Sequence, residues 1–261
     1  MIRYLLLGAV QGLTEFLPVS SSGHLVLARR ALHLDPPDTL MEATLHLGTL
    51  IAVLFLFRRD IVRLLRSLFA GGEERSLVGR LVIATVPIAL VGFLLQDQIV
   101  QAFSSTLLVG VCLLVTAGIL FLADRASRYA QRKSTRLSDA LLIGLAQAAA
   151  LLPGISRSGA TIGMGLLLGI RGSEAARFSF LLAIPAILGA GGLQLHDALG
   201  ESTAIEAATW GGLLLGAVAA ALAGGLAIKG LLAVIARGKL NAFAIYCAAV
   251  GTAAIVLSAI S

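Results

Sequence analysis

Between Gln11 and His24 the chain reads Gln-Gly-Leu-Thr-Glu-Phe-Leu-Pro-Val-Ser-Ser-Ser-Gly-His. A carboxylate (Glu15), an imidazole (His24), an amide (Gln11) and three hydroxyls (Ser20, Ser21, Ser22) thus stand in a run otherwise apolar enough to enter a bilayer. Polar groups at that depth are expensive and usually line a functional cavity. A second such stretch, Pro153-Gly-Ile-Ser-Arg-Ser-Gly-Ala-Thr161, contributes Ser156, Ser158, Thr161 and Arg157, whose permanent charge and planar fork suit phosphate oxygens. Each serine cluster is well placed to cap the helix that follows it, which turns the amides and dipole of that helix toward a shared point as an anion site.

Each residue has a functional and a structural reading. Glu15 is an acid–base group or a metal ligand, and residue types do not choose between these. It lies one turn beyond Gln11, so amide and carboxylate share a face. Arg157 either grips an anion or only pairs with Glu15 to hold the two stretches together. His24 can exchange protons near neutral pH, or serve as a hydrogen-bonded interface residue. Glu42 and His46, spaced i, i+4, are outer-vestibule or supporting groups. Ser173, Glu174 and Arg177 suggest capping and interfacial charge, His33 and His196 loop positions, and the Phe178-Ser-Phe-Leu-Leu run packing. Cys112 and Cys247 fall in apolar runs and suggest no disulfide.

The elements that must carry these groups are membrane helices. Hydrophobic residues make up 58%, charged residues 13%, and mean hydropathy is +0.95; soluble domains carry roughly 25% charged residues. Apolar runs of about 18–22 residues, rather than alternating ten-residue strands, exclude an outer-membrane barrel. The first segment lacks the order of a secretion signal, and nothing between the spans is long enough for a second domain. The net charge of +6 needs no nucleic-acid partner, because the arginines gather in loops where they orient a membrane protein.

Uninterrupted spans are expected at Leu40–Phe57, Leu77–Leu95, Ser105–Ala123, Phe178–Leu195, Ala208–Ile228 and Asn241–Ile260. Residues 1–33 and 139–170 are apolar but broken, at Pro18–Gly23 and Pro153–Gly159. The broken segments match each other 136 residues apart: Gly8 falls on Gly144, Gln11 on Gln147, Ser20 on Ser156, Ser22 on Ser158 and Gly23 on Gly159. If each enters and leaves on one side, the basic loops 58–80, 124–138, 171–177 and 229–239 all share the cytoplasmic face. Of the 20 Lys and Arg, only Arg3, Arg29, Arg30 and Arg157 then lie elsewhere. As one straight helix, residues 139–170 would run about 48 Å, too long for a hydrocarbon core of about 30 Å. Broken in the middle, each half reaches the midplane, where irregular backbone is tolerated if it lines a cavity. The expected fold is an all-α integral membrane protein of one domain, residues 1–261. It is built as two inverted-topology repeats (1–123 and 139–261, joined by a basic linker 124–138), each a re-entrant helical hairpin plus three transmembrane helices.

With the two motifs in this order and a matching span pattern, essentially the whole chain resembles the undecaprenyl-diphosphate phosphatase family, also called the bacitracin-resistance family. The resemblance implies a hydrolase of the bacterial inner membrane that cleaves the terminal phosphate of undecaprenyl diphosphate, recycling the lipid carrier for peptidoglycan synthesis and conferring bacitracin resistance. It also implies an active site open to the outer face, dependence on a divalent cation such as Mg²⁺ or Ca²⁺ with Glu15 as the metal-side group, and a homodimer in part of the family. By the family's motifs Glu15, Ser21, His24 and Arg157 take catalytic positions. Gln11, Ser20, Ser22, Ser156, Ser158 and Thr161 line the substrate site. Some members carry Glu where this chain has Gln11, which puts a two-carboxylate mechanism in doubt here. Attack by Ser21 and attack by an activated water both fit these residues. Outside hydrolysis, broken helices meeting at the midplane also suit a transporter or flippase for a lipid phosphate.

Overall fold

The structure, a computed structural model, describes residues 1–31, 39–70, 73–201 and 207–260. Among these residues there are twelve helices, no strand, and one isolated bridge between Arg132 and Ile170. Six helices are long and apolar enough to cross a membrane. They are α3 (Thr39–Leu56), α5 (Glu73–Leu94), α7 (Thr106–Ser127), α10 (Gly172–Glu201), α11 (Ala207–Ala236) and α12 (Asn241–Ile260). All six coincide with an expected span. His33, expected at a loop position, lies outside the described residues, and His196, expected likewise, lies within α10.

The two broken segments are pairs of shorter helices: α1 (Ile2–Phe16) with α2 (Ser21–Ala31), and α8 (Leu137–Ala149) with α9 (Arg157–Leu167). Proline alone does not make the break. Pro87 lies inside α5 and Pro185 inside α10, and both helices continue past it. What distinguishes Pro18 and Pro153 is the Ser and Gly that follow, residues that cap a new helix or accept a left-handed backbone. Ser20 has φ 71° and Gly154 has φ 101°.

Two helices fall where the sequence indicated only loops. The basic stretch after α3 forms α4 (Arg58–Ala70), and a short α6 (Gln96–Ala102) joins α5 to α7. In α4 the apolar residues recur every three or four positions, so Leu64 is buried while Arg59 and Arg66 stay exposed.

Packing is by close backbone approach. A Cβ on Gly8 would lie 2.3 Å from the Gly216 carbonyl oxygen, and one on Gly144 would lie 2.5 Å from that of Ala84. Small residues permit this, and in a bilayer van der Waals contact rather than water exclusion holds helices together. Thus α1 lies on α11 as α8 lies on α5, with α3 against α10 and α7 against α12. Phe16 of α1, Phe57 at the end of α3 and Phe180 of α10 pack together: ring centroids are 5.9 Å apart for Phe16–Phe180 and 5.4 Å for Phe57–Phe180.

Candidate active site

At the first break, α1 ends in an extended Leu17, and the left-handed Ser20 opens α2. Ser20 Oγ accepts from the Gly23 amide at 3.3 Å, and its carbonyl accepts from the His24 amide at 3.1 Å. At the second break Ser156 does the same: Oγ accepts from the Gly159 amide at 3.1 Å and its carbonyl from the Ala160 amide at 2.8 Å. Each cap also touches the hydroxyl two positions on, Ser22 and Ser158, at 3.2 Å in both cases. The first amides of α2 and α9 precede the capped ones and have no intrahelical acceptor.

The two breaks are stitched to each other. Ser20 Oγ accepts from the Gly154 amide at 3.1 Å, and Ser158 Oγ donates to the Leu17 carbonyl at 3.0 Å. Thr116 on α7 clamps the second loop from behind, donating to the Gly154 carbonyl at 2.9 Å and accepting from the Ser156 amide at 3.0 Å. Ser20, Ser156, Ser158 and Thr161 are all buried, their hydroxyls engaged within the protein. Thr161 reaches the Arg157 carbonyl at 2.8 Å and Ser179 at 2.6 Å.

Glu15 is the hub. Its Oε1 accepts from Arg157 Nη2 at 2.5 Å; its Oε2 accepts from Ser21 Oγ at 2.5 Å and from Gln11 Nε2 at 2.9 Å. His46 Nε2 stands 3.9 Å from the same Oε2, while its Nδ1 meets the Glu42 carbonyl at 2.9 Å. Glu42 is itself bound to Arg29 of α2. The paired residues of α3 therefore brace Glu15 and tie α2 to α3. Two polar atoms of the cluster are buried without a partner, Arg157 Nη1 and Gln11 Oε1. A donor and an acceptor left open beside a neutralised carboxylate are suited to an anion and a cation respectively.

His24 and Ser21 make their hydrogen bonds to different partners. His24 Nδ1 contacts the Ser20 carbonyl at 2.8 Å, and its Nε2 contacts the Tyr246 hydroxyl at 2.8 Å, with the rings stacked at 5.6 Å between centroids. Tyr246 and Thr116 are participants that sequence reasoning missed. Each sits in a plain apolar span, with no motif to mark it.

Among the described residues no three of His, Cys, Asp and Glu come together to hold a metal. Mg²⁺ commonly takes only one or two carboxylates and completes its shell with waters and substrate phosphates. Glu15 with the open Gln11 Oε1 fits that mode.

Residues 4–253 match the family described as bacitracin resistance protein BacA. The chain is 42% identical over its whole length to an undecaprenyl-diphosphatase of Halothermothrix orenii, covering 99% of that protein. It is 46% identical to one of Rubrobacter xylanophilus, over 94% of each chain. It is 42% identical to one of Methanobrevibacter smithii, over 96% of this chain and 95% of the relative. With its two serine-capped breaks joined through Glu15 and a family match spanning nearly every residue, the chain belongs to the bacitracin resistance protein BacA family.

Proposed function

We propose that this chain is a membrane phosphatase that converts undecaprenyl diphosphate to undecaprenyl phosphate and inorganic phosphate. One observation carries the reading: a serine hydroxyl and an arginine guanidinium are held on the two oxygens of a single buried carboxylate. The relatives' names supply the substrate class.

The lipid tail stays in the bilayer while the diphosphate meets Arg157, whose open Nη1 takes a terminal phosphate oxygen. The unpaired first amides of α2 and α9 add donors where charge builds during phosphoryl transfer. Ser21 Oγ attacks the terminal phosphorus and passes its proton to Glu15 Oε2, already its acceptor. The P–O bond to the bridging oxygen breaks, and undecaprenyl phosphate leaves. Water then attacks the phosphoserine, with His24 as the proton carrier, and restores Ser21. A divalent cation held by Glu15 and Gln11 Oε1 would neutralise phosphate charge. Arg157 stabilises the same charge through its open Nη1.

The broken pairs are re-entrant hairpins of two inverted repeats. Supporting this are the duplicated caps, the α1–α11 and α8–α5 glycine crossings and the charge bias of the loops. The same bias sets the basic linker in the cytoplasm and, with the resemblance, opens the site to the outer face of the inner membrane. There it recycles the carrier for peptidoglycan synthesis and protects against bacitracin.

Phosphate release from polyprenyl diphosphate by purified protein in detergent is the test. A flippase would release none, since it needs two compartments and breaks no bond. Trapping phosphate on Ser21 in a slow variant supports the serine route; a Ser21→Ala protein keeping most of its turnover leaves only attack by water.

A further inference from the structure

We infer that Tyr246 is a positioning residue for His24, an inference that rests on the phosphatase reading above. The Ser20 carbonyl can only accept, so the ring proton of neutral His24 lies on Nδ1. Nε2 is then the basic nitrogen, and the Tyr246 hydroxyl, 2.8 Å away, donates to it. The rings are 8° from parallel. The phenol thus fixes both the direction of the lone pair and the plane of the imidazole.

The arrangement divides the labour of the site. Ser21 gives its hydrogen bond to Glu15, so the serine is served by the carboxylate. The basic nitrogen of His24 is held by a side chain from α12, 222 residues along the chain, on the exposed side of the cluster. Tyr246 itself is 45% exposed, so its hydroxyl has room to turn away from Nε2. When it turns, Nε2 is freed to take a proton from the entering water. Tyr246 therefore acts in the second half of the reaction, through His24 rather than on the phosphate itself.

Two measurements decide this. The first uses protein labelled with ¹⁵N at its four histidines, with His24 assigned by substitution. Nε2 of the unsubstituted protein should show the resonance of a hydrogen-bonded, proton-free nitrogen. It should move toward that of an unbonded one in Tyr246→Phe. A protonated Nε2 paired with a bare Nδ1, or a resonance unmoved by the substitution, overturns the inference. This readout needs no turnover, so it stands apart from the phosphatase reading, whose own failure would be absence of phosphate release by the unsubstituted protein. The second is a double-mutant cycle. Tyr246→Phe should lower kcat about three- to tenfold with KM unchanged, the scale of one hydrogen bond. In a His24→Gln background the same change should have no effect on the residual rate. An equal loss in both backgrounds, or a loss confined to KM, shows that Tyr246 only packs α12 or meets the lipid. Phe keeps the ring, so a fall in thermal stability is not expected from the substitution.

Discussion

Arg157 and Glu15, 142 positions apart in sequence, meet at 2.5 Å with the carboxylate nearly closed off from solvent. The pair joins the two broken segments and leaves one arm of the guanidinium, Nη1, without a partner. An arginine that served only to pair would have no reason to keep a buried donor open.

Arg157→Ala should abolish phosphate release. It should also destabilise the fold by about 3–5 kcal/mol, because Glu15 would remain as an unpaired buried charge. Arg157→Lys keeps the charge but offers no second arm, and should lower kcat about a hundredfold or more. Thermal unfolding in detergent and a phosphate assay read the two effects separately. Near-normal rates for both variants would place the phosphate elsewhere.

Glu15→Gln tests the hub in another way. The amide accepts a proton far less readily than the carboxylate, so kcat should fall about 10²–10⁴-fold. Combining Glu15→Gln with Arg157→Met should recover part of the stability lost in Arg157→Ala, since the lone charge is gone. Activity should not return.

Ser20 combines a left-handed backbone with an oxygen that accepts from Gly154 and Gly23. Ser20→Gly relieves the backbone and loses the oxygen; Ser20→Ala loses the oxygen and keeps the strain. Alanine should therefore be the less stable variant, by about 1 kcal/mol, the usual difference at such a φ. Denaturation midpoints of the two variants give the comparison, and an alanine variant as stable as glycine would contradict the strained geometry.

Thr116→Val removes a hydroxyl that bonds both the Gly154 carbonyl and the Ser156 amide, with little change in shape. Two buried backbone groups lose their partner, so a loss of about 2 kcal/mol or more is expected. Phosphate release should fall with it, because the loop that carries Arg157 is no longer held. Full activity in a stable Thr116→Val protein would show that the loop holds itself.

Glu15 is already neutralised by Arg157, and Gln11, which bonds it through Nε2, keeps its Oε1 open. A divalent cation should therefore bind weakly to the protein alone and tightly once pyrophosphate supplies further oxygens. Titration calorimetry with Mg²⁺ or Ca²⁺, with and without pyrophosphate, reads this directly. Tight binding without an anion would require ligands beyond Glu15 and Gln11.

The sequence by itself determined where the chain breaks and which residues stand at the breaks. Apolar runs, helix length against bilayer thickness and Ser-Gly clusters after Pro18 and Pro153 are local signals, and the six spans and four half-length helices fall where those signals lie. The sequence also put Gln11 and Glu15 on one face, because i, i+4 geometry is fixed within a helix. Only the tertiary structure decided which hydroxyls are spent on holding the loops (Ser20, Ser156, Ser158) and which one reaches the carboxylate (Ser21). It alone brought Tyr246 to His24 and Thr116 to the second loop. Lipid and protein interior are equally apolar, so the faces of α7 and α12 carry no pattern that says which side meets a neighbour. That choice is made by close packing, as where Gly110 of α7 and Gly251 of α12 let the two backbones touch.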